Sequence, residues 1–223
     1  MISWKNPALF DLKTIAGLLL KAHEIIQAEI TSLLEKKVIE HTNHSAGEVI
    51  SSIFTREKRD SDKHRVILNL SELNEFISCH HFKMDTLTTA TKMLSPDCFC
   101  ASTDLSDAYY SVSMDPRYRK YLRYAYNGQL FQFTCLPNGL SPGPRVFTKL
   151  LKSVLATLRR RFGIKIMAYL DDLLLLENSP EEVRQTIDIF TDLGFKISVQ
   201  KSTLLPTRSI EFLGFILDSH LMS

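Results

Sequence analysis

At 223 residues, with 44% hydrophobic and 23% charged side chains, the chain can bury a substantial core without disulfides or metals, and its composition lies far from that of disordered proteins. A formal net charge of +2 selects no partner by itself, but the charge is unevenly placed: residues 1–116 carry 12 basic and 16 acidic side chains, residues 117–165 carry 11 and 0, and residues 166–223 carry 4 and 9. A block of 49 residues without a carboxylate is a candidate footprint for a phosphate backbone, although a solvated basic helix face has the same composition.

The N-terminal residues lack the basic region and small-residue cleavage site of a signal peptide, and no apolar run approaches the ~20 residues of a membrane span. A soluble protein with no membrane partner is expected. Ile26, Ile30, Leu33 and Leu34 recur at helical spacing, which predicts an amphipathic helix over 22–37. Residues 49–55 and 65–70 read as strands flanking a polar, charged turn, 56–64. The Cys79-His80-His81 cluster lacks a second ligand pair at finger-like spacing, so zinc is not expected. With Cys98, Cys100 and Cys135 also outside any CxxC pair, the cysteines suit a reducing, intracellular setting, nucleus and cytoplasm being equally compatible.

Asp85 or Thr86 is placed to cap a helix through Leu94, and Pro96-Asp97 marks the loop before a strand, 98–103, that runs into Asp104. Strands 121–126 and 129–134 flank Asn127-Gly128, a hairpin signal because both turn positions favour positive φ. Pro142 or Pro144 opens a basic helix that ends near Phe162, with Gly163 as its stop. Arg159-Arg160-Arg161 encircles that helix, so at least one arginine must face solvent. Residues 164–170 and 173–176 are apolar strands around the Asp171-Asp172 pair. Ser179-Pro180-Glu181-Glu182 is a capping box, followed by the stripe Val183, Ile187 and Phe190 up to Gly194. Residues 195–199 and 210–217 return as strands. Helices and hairpins interleaved without repeats or linkers predict an α+β fold with a largely antiparallel sheet.

Asp104 and the Asp171-Asp172 pair each stand at the end of an apolar strand. Burying carboxylates is costly without counter-charge, and hard divalent cations such as Mg²⁺ prefer oxygen ligands. Two such ions can stabilise the attacking and leaving oxygens of a phosphoryl displacement. The dipeptide alone is better read as a polar hairpin tip; the apolar neighbours Met167, Tyr169, Leu170, Leu173, Leu174 and Leu175 lower that reading. Glycoside hydrolysis also uses paired acids but gives no reason for an adjacent basic block.

Asp104-Leu105-Ser106-Asp107-Ala108-Tyr109-Tyr110, Leu136-Pro137-Asn138-Gly139 and Tyr169-Leu170-Asp171-Asp172 stand in the order and approximate spacing of the reverse transcriptase family, which the chain resembles over about 29–217. The run from Arg65 through Asn74 is similar to that family's fingers motif. Gly194-Phe195 through Lys201, and Phe212-Leu213-Gly214, are similar to its last two palm motifs. Within the family, His81-Phe82-Lys83-Met84-Asp85 and Leu136-Pro137-Asn138-Gly139-Leu140-Ser141 look most like DIRS-type retrotransposons, the tyrosine-recombinase group. Asn138 departs from the glutamine of retroviral enzymes.

The resemblance implies a right-hand polymerase palm, an antiparallel sheet with packed helices, with an interleaved fingers subdomain. Residues 1–28 would be a flank and 218–223 a tail, with thumb and RNase H domains absent from the stretch. It also implies that Asp104 and Asp171 hold two Mg²⁺ ions, with Mn²⁺ as a substitute, and that Asp172, the adjacent acid, is a third catalytic and metal-ligand candidate. Lys201 matches a general acid for pyrophosphate. Lys58 and Arg65 match residues that grip the triphosphate, Asp107 and Ala108 offer backbone amides to phosphate, and Asn138 lies at a nucleotide contact. Tyr109 matches an aromatic gate against the ribose 2′-hydroxyl, and Phe212, Leu213 and Gly214 match a primer grip. The implied partners are an RNA template, a DNA primer and dNTPs, with no indication of oligomeric state. The rival expectation is a catalytically idle nucleic-acid-binding remnant of a mobile element.

Overall fold

The computed structural model describes residues 12–57 and 64–221. In chain order the elements are α1 (Leu12–Glu35), β1 (Ile39–His41), β2 (Ile50–Ser51), β3 (Ile53–Glu57), β4 (His64–Leu68), α2 (Ser71–Glu75), α3 (Leu87–Met93), β5 (Phe99–Asp104), β6 (Arg123–Tyr126) and β7 (Gln129–Phe133). They continue with α4 (Gly143–Phe162), β8 (Ile166–Tyr169), β9 (Asp172–Glu177), α5 (Pro180–Asp192), β10 (Thr203–Thr207), β11 (Ser209–Phe212) and β12 (Phe215–Asp218). Two compact units divide the chain: one takes Met1–Phe76 and Ser113–Leu140, the other Ile77–Val112 and Ser141–Ser223. Each is built from two separate stretches, which is the interleaving expected of fingers and palm. Among the described residues, no helix is long and apolar enough to cross a membrane.

The first unit packs α1 against strands. Ile26, Ile30 and Leu33 are buried, as their spacing predicts, but the helix begins at Leu12, inside the stretch expected to be a flank. A sheet in the order β1-β7-β6-β2 carries the expected Asn127-Gly128 hairpin, both turn residues at positive φ. A separate β3–β4 hairpin pairs Arg56 with Arg65. Four cations of the basic block fall in this unit, and three of them are neutralised locally. Arg117 pairs with Asp115 at 2.7 Å and Arg119 with Glu40 at 3.1 Å. Arg123 is buried, and its guanidinium donates to Gln132, Ser45, Thr42 and Glu48. A planar fork with four of its five donors taken inside the unit is a structural cross-brace, which corrects the reading of this part of the block as a phosphate footprint.

The second unit is a four-stranded antiparallel sheet in the order β10-β5-β9-β8 with both faces covered. Alternation along each strand divides the core in two. Ala101, Leu173, Leu175 and Ile166 meet α4 and α5 through Phe147, Leu151, Leu155, Val183 and Phe190. Cys100, Met167, Leu174 and Leu176 meet the other layer, Ala90 of α3 with Ile210, Phe212 and Leu217. Ser179 caps α5 by accepting from the Glu182 N–H at 3.2 Å, and Gly163 ends α4 at φ +69.

Two strand expectations are corrected here. Residues 195–199 form only a single bridge, Ile197 with Leu105, before a 3₁₀ turn at Val199–Lys201. Residues 210–217 are the β11–β12 hairpin, whose Leu213-Gly214 turn has φ of +53 and +77, the mirror-image geometry that suits twisted strands. Asp218 ends β12, and the Ser219 that follows is fully buried, donating to the Cys98 carbonyl at 2.7 Å.

Glu177, at the far end of β9, is 4% exposed and accepts from the Lys165 N–H at 3.2 Å. Burial pushes its carboxyl up from 4.5 to about 7. The unfolded chain therefore ionises this group at lower pH than the folded one. Its neutral form costs nothing below pH 4.5, and stability is lost as pH rises from there to about 7. Glu177→Gln is expected to stabilise the fold by about 2 kcal/mol at pH 8 and by little at pH 4, as urea unfolding at the two pH values would measure.

Candidate active site

The Tyr169-Leu170-Asp171-Asp172 segment is a tight hairpin. Tyr169 pairs with Asp172 across the turn, and Leu170 sits at φ +56. A branched residue at positive φ is strained, and such strain clusters at functional sites. On the other side of β9, Asp172 is the register partner of Asp104, and the Leu105 N–H donates to the Asp171 carbonyl at 2.9 Å. Register alone thus brings all three acids to one end of the sheet. Asp172 shares its face with Leu174 and Leu176, and Asp104 with Cys100 and Ser102, so both point toward the layer of α3 and the β11–β12 hairpin.

The electrostatics are those of crowded negative charge. Burial first, and then the charges of Asp171 and Asp104, push the Asp172 carboxyl above its usual range, while Lys201 pulls the other way. Asp104 keeps only 13% of its side chain exposed, and the Lys201 ammonium lies 3.1 Å from Oδ2 and 3.3 Å from Oδ1. The backbone puts Lys201 there. The Asp104 N–H donates to Ser202 Oγ at 3.0 Å and the Ser198 N–H to the Asp104 carbonyl at 2.9 Å, which fastens the 3₁₀ turn to the end of β5.

After Asp104 the Ser106 N–H bonds to the Lys196 carbonyl, and Asp107 takes a left-handed conformation at φ +56. Ala108, the next residue, is buried. Tyr109 stands half-buried with its ring 5.4 Å from that of Phe147. Burial, then the Asp171 charge, pushes its hydroxyl upward, so it stays protonated at neutral pH. Of the three primer-grip candidates, Phe212 has its side chain in the core; only Leu213 and Gly214 form the turn. A Cβ on Gly214 would meet nothing within 4 Å, so the glycine serves its φ of +77.

In the same unit the segment 81–85 and the basic helix, read separately in the sequence, come together as a basic groove. Lys83, Arg145, Lys149 and Lys152 line it with Phe82 and Thr148. The Thr148 hydroxyl is buried without a hydrogen-bond partner, although its residue is only 8% exposed. In the first unit, Arg65 is exposed on β4, opposite Arg56, a like-charged pair that an anion would relieve. Arg56 and Glu57 thus belong to β3 and not to the polar turn expected over 56–64. Asn138 is exposed, and the loop that carries it is tied down where Asn74 Nδ2 donates to the Gly139 carbonyl at 2.9 Å. Lys58 lies outside the described residues.

The donor set fits a divalent ion. Asp104, Asp171 and Asp172 supply hard oxygens with an excess of negative charge. Among the described residues no three acid, histidine or cysteine side chains close into a cage.

A sheet that delivers acids at a strained hairpin, inside a unit assembled from two chain stretches, is the architecture of a template-directed polymerase palm. The chain belongs to the reverse transcriptase (RNA-dependent DNA polymerase) family, whose model matches residues 56–217. It is 23% identical over 177 residues to Protein P of duck hepatitis B virus (strain Germany/DHBV-3), covering 76% of this chain and 22% of that protein. It is 30% identical over 126 residues to the Gag-Pro-Pol polyprotein of human T-cell leukemia virus 2, covering 51% of this chain and 9% of that one. The fold matches the prototype foamy virus protease-reverse transcriptase with a TM-score of 0.71 at 22% identity, over 89% of this chain and 26% of that one. The foamy viral protein in complex with RNA/DNA hybrid matches with a TM-score of 0.70 at 21% identity, again over 89% of this chain and 26% of that one.

Proposed function

We propose that the chain is the catalytic core of an RNA-directed DNA polymerase that extends a DNA primer with dNTPs on an RNA template, and on DNA, by two-metal nucleotidyl transfer. The observation that carries this reading is the register pairing of Asp104 with Asp172 beside Asp171, in a chain of this family. Asp104 and Asp171 would hold two Mg²⁺ ions, which supply activation of the primer 3′-hydroxyl and stabilisation of the leaving pyrophosphate. Asp172 adds negative charge at the rim. Tyr109, braced by Phe147, would set a wall against the 2′-position of an incoming sugar. Arg65, with Arg56 opposite it and Lys58 nearby in sequence, would grip the triphosphate, since guanidinium forks match phosphate oxygens. Asn138 would approach the nucleotide, and Leu213-Gly214 the primer. An origin in a DIRS-type retrotransposon rests on residues 81–85 and 136–141.

The foamy viral relative was solved with RNA/DNA hybrid, and a hybrid is the ligand expected to be held through its phosphates here. The basic groove suits that task. Arg145, Lys149 and Lys152 lie on one face of α4, at i, i+4 and i+7, and the Lys152 ammonium is held over the groove by donating to the Lys83 carbonyl at 2.7 Å. Lys149→Gln with Lys152→Gln is expected to weaken hybrid binding at all sequences alike and to lower the slope of log K against log salt by about 1 to 2. Fluorescence anisotropy over a salt series would read it; an unchanged slope would remove the groove from the binding surface. The function itself is tested by extension of a labelled DNA primer on an RNA template with dNTPs and Mg²⁺. Binding of hybrid without extension would leave a nucleic-acid-binding protein and sink the enzymatic reading.

A further inference from the structure

We propose that Lys201 is a stand-in cation: its ammonium holds the Asp104 carboxylate in the metal-free chain and has to leave before a divalent ion can use that carboxylate, so Lys201 tunes the metal affinity of the site. This inference rests on Asp104 being a metal ligand. Lys201 reaches both oxygens of Asp104, at 3.1 and 3.3 Å, so the carboxylate's inward lone pairs are occupied. The contact is built into the chain. The Lys201 N–H bonds to the Ser198 carbonyl at 3.1 Å, and the turn that carries it is clamped to Asp104 by Ser198 and Ser202.

The same geometry makes the cation removable. Lys201 is 58% exposed at its side chain while Asp104 is 13% exposed, so the ammonium can swing into water and leave the carboxylate behind. An ion pair with so exposed a partner is weak and screened by salt. Asp104 and Asp171 together would attract a doubly charged ion more strongly than Asp104 attracts the single charge of the ammonium, and displacing Lys201 would lower the apparent affinity of the site. Lys201, released from Asp104, would remain beside the site on its turn. Lys201 acts in this step as a positioning residue for Asp104.

The test measures Mn²⁺ binding to the full chain without nucleotide, following free Mn²⁺ by electron paramagnetic resonance, with circular dichroism to confirm the fold of each variant. Lys201→Gln is expected to bind Mn²⁺ about three- to tenfold more tightly than the wild type, from loss of a weak ion pair and of one repelling charge. Lys201→Arg, which keeps the charge, should stay near wild type, and the difference should shrink in high salt. In an Asp104→Asn background the gain from Lys201→Gln should shrink to the small part that comes from removing a repelling charge. Equal or weaker binding by Lys201→Gln, with Asp104→Asn still weakening the wild type, overturns the role of the lysine and leaves the metal reading standing. Mn²⁺ binding that ignores Asp104 altogether overturns both.

Discussion

Asp171→Asn is expected to lower primer extension by about 10³-fold or more, the rate equivalent of the several kcal/mol a metal-held oxygen supplies to the transition state, while the chain stays folded and still binds hybrid. The structural part of Asp171 is its carbonyl, which accepts the Leu105 N–H at 2.9 Å and survives the substitution. Its carboxylate contributes charge to a site where Asp172 is already pushed upward by burial and by its acidic neighbours. Removing that charge relieves repulsion, so thermal stability should hold or rise as activity vanishes. Single-turnover extension and thermal unfolding on the same preparation separate the two effects. Extension within tenfold of wild type would show that this carboxylate holds no catalytic ion.

The second large effect is on the support behind the site. Phe147 is fully buried on α4, in the layer between that helix and the sheet. Phe147→Ala leaves a cavity that rigid neighbours only partly fill, and should cost about 3 to 5 kcal/mol of stability. The same ring braces Tyr109 at 5.4 Å, so its loss should also loosen the wall against ribose and raise ribonucleotide incorporation relative to dNTPs. Leu151→Ala is the control, since Leu151 is 1% exposed in the same core. Urea unfolding should place its cost at about 2 to 5 kcal/mol, but the sugar preference should change only for Phe147→Ala.

What the sequence made legible was local. The Ser179 cap of α5, the glycine stop of α4 and the Asn127-Gly128 hairpin each follow from residues within a few positions of one another, and each is found where expected, although Glu182 reaches back to the Asn178 N–H at 2.9 Å rather than closing a full capping box on Ser179. Strand β10 was hidden because Leu204-Leu205-Pro206 breaks both the alternation and the proline rule. An edge strand tolerates both, since one side of it makes no ladder bonds. The β11–β12 turn was hidden because Leu213 occupies a positive-φ position usually given to glycine or asparagine.

The candidate site divides in the same way. The motifs located the three acids, and sheet register explains why they meet. The contact of Lys201 with Asp104 spans 97 residues of sequence and could not be read from either end. Composition alone could not tell Arg123, consumed inside a fold, from Lys149, which lines an open groove. Buried partners decide what a basic residue is for, and partners come from tertiary structure.

The central claim is most directly tested by single-nucleotide addition to a DNA primer on RNA templates that differ only in the next base, in Mg²⁺, with the Asp104→Asn, Asp171→Asn chain alongside. The account predicts that the wild-type chain adds the dNTP complementary to each RNA base and that the double variant, still binding the hybrid, adds none. Addition that ignores the template base, or equal addition by the double variant, would contradict it.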